Sequence, residues 1–87
     1  KVQHLAVDQN IPNPATAVTT IPVDLPKAGT VTVMLRDVTG REIRSQAFAG
    51  KKGKQNLTIH LDGLKPQLYF YTVTHESGTA TKRLIVK

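Results

Sequence analysis

The side chains best suited to catalysis or metal binding are few and scattered along the sequence. Ser45 and Ser77 are the candidate nucleophiles, and neither has a plausible base nearby in the sequence. The histidines stand at positions 4, 60 and 75, without the spacing of a metal site. The six carboxylates fall about one to each loop or strand and form no calcium-binding pattern. We therefore expect a protein that is not an enzyme and that uses no metal or other cofactor.

Basic residues outnumber acidic ones, which gives a formal net charge of +6. They cluster within residues 51–54 and within residues 82–87. Such an excess is compatible with nucleic acid, with an anionic surface or with solubility alone. No helical basic stripe and no base-stacking aromatic pattern accompany it, so no nucleic-acid partner is expected. Gly50–Lys54 lacks the Walker sequence, and we interpret it as a solvated turn.

Length and composition indicate one small domain. Its 87 residues lie near the lower end of what a single apolar core can stabilise. The chain is 39% hydrophobic and contains no cysteine, which excludes disulfides and thiolate metal sites. Lys1 opens the chain without a leader pattern, as expected of an expression fragment or of a piece from the end of a longer polypeptide. We predict a single domain over residues 1–87, with residues 1–9 as a lead-in or first strand.

Hydrophobic and polar residues alternate along most of the chain, and helical periodicity is almost absent. Ile21, Val23 and Leu25 form one alternating set. Val31–Leu35 and Leu57–Leu61 contain two more, and each set is typical of a strand with one face on a core. Seven strands are predicted: Val2–Val7, Thr16–Leu25, Thr30–Asp37, Arg41–Ala49, Gln55–Leu61, Leu68–His75 and Thr79–Val86.

Short turn segments separate these strands. Asp37–Gly40 is a predicted hairpin, because an Asp side chain can bond the turn backbone and Gly40 can adopt a positive φ. Gly50–Gly53 is predicted as the next hairpin. The regular spacing favours an all-β antiparallel sandwich, with a closed barrel as the alternative. The strand Leu68–Val73 is apolar on both faces, which indicates a central position or a covered edge.

One segment, Gln9–Thr16, does not fit the strand pattern. Pro12 and Pro14 flank Asn13, remove two amide donors and restrict φ. The residues before each proline are displaced towards extended conformations. We interpret this segment as a stiff lead-in to the following strand, and a recognition role for its exposed backbone is compatible with that.

The order of these features resembles a known family, the C-terminal sorting domain of the type IX secretion system. The resemblance covers the chain from about Gln9 onward. Gln67 stands at or beside a position where the family usually has glycine, which predicts a reshaped turn before the sixth strand. The features that carry the resemblance are, in order, Asn10–Ala15, Leu25-Pro26, Gly29, Val31–Leu35, Asp37–Arg41, Leu61–Leu64, Tyr69–Val73 and Lys82–Lys87.

The resemblance implies a fold and a role. The fold is a seven-stranded immunoglobulin-like β-sandwich at the end of a cargo protein from a Bacteroidetes-type bacterium. The outer-membrane translocon recognises the domain and directs the cargo through the periplasm to the cell surface or medium. In many members a surface cysteine protease, the sortase, cuts upstream of the domain and joins the cargo to an anionic lipopolysaccharide. The expected partners are thus the translocon, the sortase and an N-terminal cargo domain.

The resemblance also supplies candidate recognition residues, in two groups that are far apart in sequence. Two further residues, Asp37 and Gly40, are expected to be structural residues of a turn. The closing segment is expected to be a final strand, a docking strand or both. The recognition candidates are Pro12, Asn13, Pro14 and Ala15 in the first group, and Lys82, Arg83, Leu84, Ile85, Val86 and Lys87 in the second.

Two other functions compete with export. A carbohydrate-binding or adhesive module would display outward aromatic side chains, for which only Phe48 and Phe70 are candidates, or a calcium site in a loop. A fibronectin-like spacer would have a purely structural role. In isolation, the domain is also expected to be capable of self-association through an exposed strand edge or a swapped terminal strand.

Overall fold

The alternating segments form two antiparallel sheets that pack face to face. The computed structural model describes residues 5–11 and 13–87, and these residues contain seven strands. A three-stranded sheet has the order β1-β2-β5, and a four-stranded sheet has the order β4-β3-β6-β7. This arrangement confirms the predicted immunoglobulin-like sandwich. The strands are β1 (Ala6–Val7), β2 (Val18–Leu25), β3 (Gly29–Arg36), β4 (Glu42–Gly50), β5 (Gly53–His60), β6 (Leu68–His75) and β7 (Gly78–Ile85).

The core lies between the two sheets and is filled by the alternating apolar residues. Val33 on β3 and Ile59 on β5 are both buried, as their strand positions predict. Tyr69 and Tyr71 on β6 are the largest fully buried side chains. The Tyr69 hydroxyl group donates a hydrogen bond of 2.9 Å to the Lys65 carbonyl, which fixes the chain where it turns into β6. The described residues include no helix long and apolar enough to span a membrane.

The prediction of a hairpin at Gly50–Gly53 is wrong. β4 and β5 lie in different sheets, so this connection crosses from one sheet to the other. Gly50 pairs with Gly29, and a Cβ atom on Gly50 would lie only 2.4 Å from the Gly29 carbonyl oxygen. Glycine is therefore required here by close backbone approach. The alternating pattern specifies which side chains face the core, but it does not specify which strand is the hydrogen-bonded neighbour.

The other strand predictions agree with the structure to within a few residues. β3 and β4 form the hairpin expected at Asp37–Gly40. β6 lies between β3 and β7, the central position that its two apolar faces indicate. Of the predicted first strand, only Ala6–Val7 is a strand in the described residues, and residues 2–4 lie outside them. Gln67, in place of the expected glycine, does not have a positive φ, so the chain enters β6 without the left-handed region.

Candidate functional site

One of the two candidate nucleophiles lies against a histidine, contrary to expectation. Ser77 Oγ is 2.7 Å from His75 Nδ1, and the Ser77 amide donates to the same nitrogen at 3.1 Å. The β6–β7 turn brings these two residues together. A serine nucleophile also needs a group that orients its histidine, yet no described polar atom bonds the buried Nε2 atom of His75. We interpret the pair as part of the turn.

The remaining chemically competent side chains stay apart. Ser45 and His60 are exposed on different sheets, and His4 lies outside the described residues. Across residues 5–11 and 13–87, no three His, Asp or Glu side chains form a group that could hold a metal ion. Phe48 packs partly buried against the core, and Phe70 is half-buried.

Two carboxyl groups have lowered pKa values, and both belong to turns. The Thr39 hydroxyl group donates a hydrogen bond to Asp37, which lowers the pKa of that carboxyl group. Lys27 pairs with Glu76 and lowers its pKa in the same way. Asp37 Oδ1 also accepts the amides of Thr39 and Arg41, at 2.9 and 3.1 Å. The Gly40 amide donates to the Asp37 carbonyl at 3.0 Å, which closes the turn, and Gly40 has a φ of 88°.

The structure brings the two groups of recognition candidates together. Ala15 forms a parallel bridge with Val86, its amide donates to the Ile85 carbonyl at 2.8 Å, and its carbonyl accepts the Lys87 amide at 2.7 Å. The Asn13 side chain accepts the Ile85 amide at 2.9 Å. We call the paired segments Asn13–Ala15 and Ile85–Lys87 the junction. Pro12, the remaining candidate of the first group, lies outside the described residues.

The junction covers one end of the outer edge of β7, and the segment before the junction extends this cover along the strand. The Gln9 side-chain amide donates to the Arg83 carbonyl at 2.7 Å. Together with Asn13 and Ala15, Gln9 bonds backbone groups along the outer edge of β7, which pairs in its sheet with β6 alone. An open edge would expose these groups to other chains. The stiff lead-in predicted from the prolines therefore also protects an edge.

A buried polar network holds this segment to the core. The Asn10 amide donates to the Tyr71 hydroxyl group at 3.1 Å, and that hydroxyl group donates to the Asp8 carbonyl at 3.2 Å. The Asn10 side chain donates to Thr19 Oγ1 at 2.9 Å. Burial raises the pKa of the Tyr71 hydroxyl group, which further favours its protonated, hydrogen-bond-donating form.

The sequence patterns did not single out Gln9, Asn10 or Tyr71 as site residues. The available signal was weak: an inward-facing tyrosine on β6, and two amide side chains just before the prolines. Their partners are 74, 9 and 61 residues away in the chain. Local periodicity contains no information about such pairs.

The residues of the junction and its surroundings differ in exposure. Ala15, Leu84 and Val86 are buried in the core. Lys82 is half-buried. The exposed side chains, which we call the address surface, are those of Asn13, Pro14, Arg83, Ile85 and Lys87. Ile85 is 43% exposed and contributes an apolar side chain to this surface.

Residues 10–87 match the family of the secretion system C-terminal sorting domain. The chain belongs to this family. The sorting domain is thus the C-terminal signal of type IX secretion, and it marks proteins for export to the cell surface or medium. It works with the secretion machinery and with a cargo, and domains of this kind are typically not catalytic. No curated protein sequence matches this chain.

Two solved structures resemble the sorting domain. The dimeric latent PorU from Porphyromonas gingivalis matches with a TM-score of 0.73 and 20% identity, over 94% of the sorting domain and 9% of PorU. The β-glucuronidase from Parabacteroides merdae matches with a TM-score of 0.43 and 20% identity, over 99% of the sorting domain and 13% of the enzyme. The sorting domain thus spans about a tenth of the length of these chains. The PorU likeness supports the sandwich fold.

Proposed function

We propose that the sorting domain is read by the type IX translocon through the address surface. The observation that carries this proposal is the backbone pairing of Ala15 with Ile85–Lys87. It joins two segments that are about 70 residues apart and displays exposed side chains of both at one end of the sandwich. A translocon that handles unrelated cargoes needs a recognition surface that does not depend on the cargo. The address surface meets this need, because the sorting domain alone forms it.

The buried members of the two groups act through the fold. Leu84 and Val86 are almost fully buried, and burying an aliphatic side chain of this size stabilises a protein by about 1.5–3 kcal/mol. Small domains have only about 5–15 kcal/mol of total stability. Deleting Leu84–Lys87 therefore removes a large share of the stability along with any address, and it does not separate the two effects. Substitutions of exposed side chains separate the two effects.

The cargo and its processing complete the proposal. Residues 1–87 serve as one sorting unit, with residues 1–9 as lead-in, behind an N-terminal cargo. A surface cysteine protease, the sortase, cuts upstream of the domain and joins the cargo to an anionic lipopolysaccharide. The sorting domain itself contributes no catalytic group. Mass spectrometry of the exported cargo distinguishes this route from retention of the domain.

The experiment is an export assay with a periplasmic reporter fused to the sorting domain in a host with a type IX translocon. The variant Arg83→Ala/Ile85→Ser/Lys87→Ala changes exposed side chains only. We expect at least about a ten-fold loss of surface reporter, with a melting temperature close to that of the parent domain. The matched control is Lys51→Ala/Lys52→Ala/Lys54→Ala, which removes three exposed charges at the opposite end of the strands. Normal export of the first variant would place the address elsewhere.

A further inference from the structure

The outer face of the four-stranded sheet is uneven in its distribution of charge. Alternate residues of β3, β6 and β7 point away from the core. Most of these outward side chains are small or carry a hydroxyl group, as at Ala47, Thr32, Thr74 and Thr79, which lie side by side on the four strands. The charged side chains of this face are confined to one row, at the end of the sheet near the junction.

That row crosses all four strands. The register places Glu42 of β4 opposite Arg36 of β3, and it places Arg36 opposite Phe70 of β6. Phe70 is in turn opposite Arg83 of β7. Side chains directly opposite each other share a face, with Cβ atoms roughly 5 Å apart. A half-buried aromatic ring thus lies between two arginines, and we call Arg36, Phe70 and Arg83 the arginine row.

Neither guanidinium group of the row is neutralised by a carboxylate of the described residues. Arg36 donates one long hydrogen bond, of 3.5 Å, to the Thr72 hydroxyl group, and it forms no ion pair with Glu42. The exposed Arg83 side chain has no ion-pair or hydrogen-bond partner in this part of the chain. Arginine and aromatic residues are enriched at the energetic centres of protein interfaces. The arginine row has that composition.

The arginine row is continuous with the address surface. Arg83 belongs to both, and the next outward pair on the same two strands is Leu68 with Ile85. Leu68 is half-buried and Ile85 is exposed. Apolar side chains therefore flank the row on the side that faces the junction.

We propose that the arginine row binds an acidic peptide segment of the secretion machinery, in which an apolar side chain lies between two carboxylates. This inference rests on the proposed function, because it names the chemistry that the address surface recognises. A guanidinium group binds a carboxylate through two parallel hydrogen bonds, which fixes orientation as well as charge. The ring of Phe70 supplies an apolar contact between the two charges.

Two observations favour a peptide over an anionic membrane as the partner. In an extended peptide alternate side chains share a face, so the order Glu-x-Leu-x-Glu is complementary to arginine, ring, arginine. Membrane surfaces are instead bound by clusters of about four to eight basic residues. The outward side chains beside the row are threonines and the apolar pair Leu68 and Ile85, and they include no further lysine or arginine.

The binding test is an NMR titration of the isotope-labelled 87-residue chain with the end-blocked peptide Glu-Thr-Leu-Thr-Glu. We expect the amide signals of Arg36, Phe70 and Arg83 to shift and to saturate, with a dissociation constant at or below about 1 mM. The matched control peptide, Gln-Thr-Leu-Thr-Gln, should not saturate these shifts. Equal responses to the two peptides would overturn the proposal.

Reversing the charges of the row provides a result that a purely structural role of the arginines would not produce. The variant Arg36→Glu/Arg83→Glu should lose the glutamate peptide and bind the end-blocked peptide Lys-Thr-Leu-Thr-Lys instead, because carboxylates then flank the ring. A variant that still binds the glutamate peptide as the parent does would contradict the assignment of the site.

The export assay tests the same row in the cell. We expect Arg36→Gln/Phe70→Thr to lose at least about ten-fold in surface reporter. The matched control, Lys52→Gln/Lys54→Gln, removes two exposed charges at the other end of the sandwich and should export normally. Melting temperatures of both purified variants establish that each is folded.

The outcomes separate this inference from the proposed function. Normal export of Arg36→Gln/Phe70→Thr, beside failed export of Arg83→Ala/Ile85→Ser/Lys87→Ala, would overturn the arginine row and leave the proposed function in place. The reverse result would contradict the address surface as defined, and the row would still be supported by its own export and titration data.

Discussion

The hydroxyl group of Tyr71 accepts a hydrogen bond from the Asn10 amide and donates one to the Asp8 carbonyl. Both partners belong to the segment that covers β7, whereas Tyr71 is fully buried in the sandwich. This one hydroxyl group thereby links the segment that covers the edge of β7 to the core of the sandwich. The address surface depends on this coupling, because Asn13 and Pro14 follow the same segment.

Replacing Tyr71 with phenylalanine tests the coupling. Tyr71→Phe keeps the ring and removes the acceptor of the Asn10 amide and the donor to the Asp8 carbonyl. Loss of a hydrogen-bond partner for buried groups costs about 1–3 kcal/mol. We expect the free energy of unfolding in urea to fall by that amount, with an unchanged m value, and hydrogen exchange to increase at Ala15 and Lys87.

Tyr69→Phe is the matched control for this prediction. It removes one hydrogen bond, from Tyr69 on β6 to the Lys65 carbonyl in the preceding connection, and leaves the cover of β7 intact. It should destabilise the domain without selectively increasing exchange at Ala15 and Lys87. Equal protection of these two amides in Tyr71→Phe and the parent would show that the hydroxyl group does not hold the segment.

Among the elements, the strands and the β3–β4 hairpin were predictable, whereas the crossing between β4 and β5 was not. The alternation of Val31, Val33 and Leu35 specifies an extended segment with one buried face, and the structure confirms it. No such pattern shows that Gly50–Gly53 crosses between sheets. Gly50, where the crossing starts, lies close to the backbone of Gly29, and these two residues are separated by 20 others in the sequence.

The candidate site could likewise be predicted only in part. The prolines single out Gln9–Thr16 and the family resemblance singles out Lys82–Lys87, and the structure places parts of both segments in the junction. That they touch was not predictable, because Asn13 and Ile85 are 72 residues apart and are joined by a side chain that accepts a backbone amide. The pairing of Ser77 with His75 was missed for a different reason. Ser77 and His75 come together because of the path of the β6–β7 turn, and their positions in the sequence are not those of a typical active site.

The β3–β4 hairpin provides a prediction about pH. The Thr39 hydroxyl group and two amides stabilise the charged form of Asp37, so its pKa in the folded protein is below the ordinary value of 3.8. The stability that Asp37 contributes is therefore fully present above about pH 4 and is lost as the pH falls through the lowered pKa. Asp37→Asn removes this charge dependence.

The direction of this pH dependence is checked by measuring the urea midpoints of the parent and Asp37→Asn from pH 7 to pH 2. The parent should have the higher midpoint at pH 7. The difference should shrink as the pH falls below 3.8. A difference that stays constant over the whole range would contradict the assignment of the carboxylate to the turn.

At the scale of the whole molecule, the two basic clusters lie at opposite ends of the sandwich. Lys51 and Lys52 belong to the crossing beside Leu25 and Gly29, whereas the segment that ends at Lys87 lies beside Ala15, before the start of β2. The molecule measures 37 × 22 × 18 Å, so the two clusters are separate surfaces. Much of the positive charge therefore lies on two separate surfaces, of which only the one at Lys87 is part of the proposed address surface.

The central claim is that this domain alone addresses a cargo for export. The most direct measurement is the location of a periplasmic reporter fused in front of residues 1–87, in a host with a type IX translocon. We expect protease-accessible reporter on the cell surface or in the medium, and periplasmic reporter in the same host without the translocon. A folded fusion that stays in the periplasm, while another sorting domain exports the same reporter in the same host, would contradict the account.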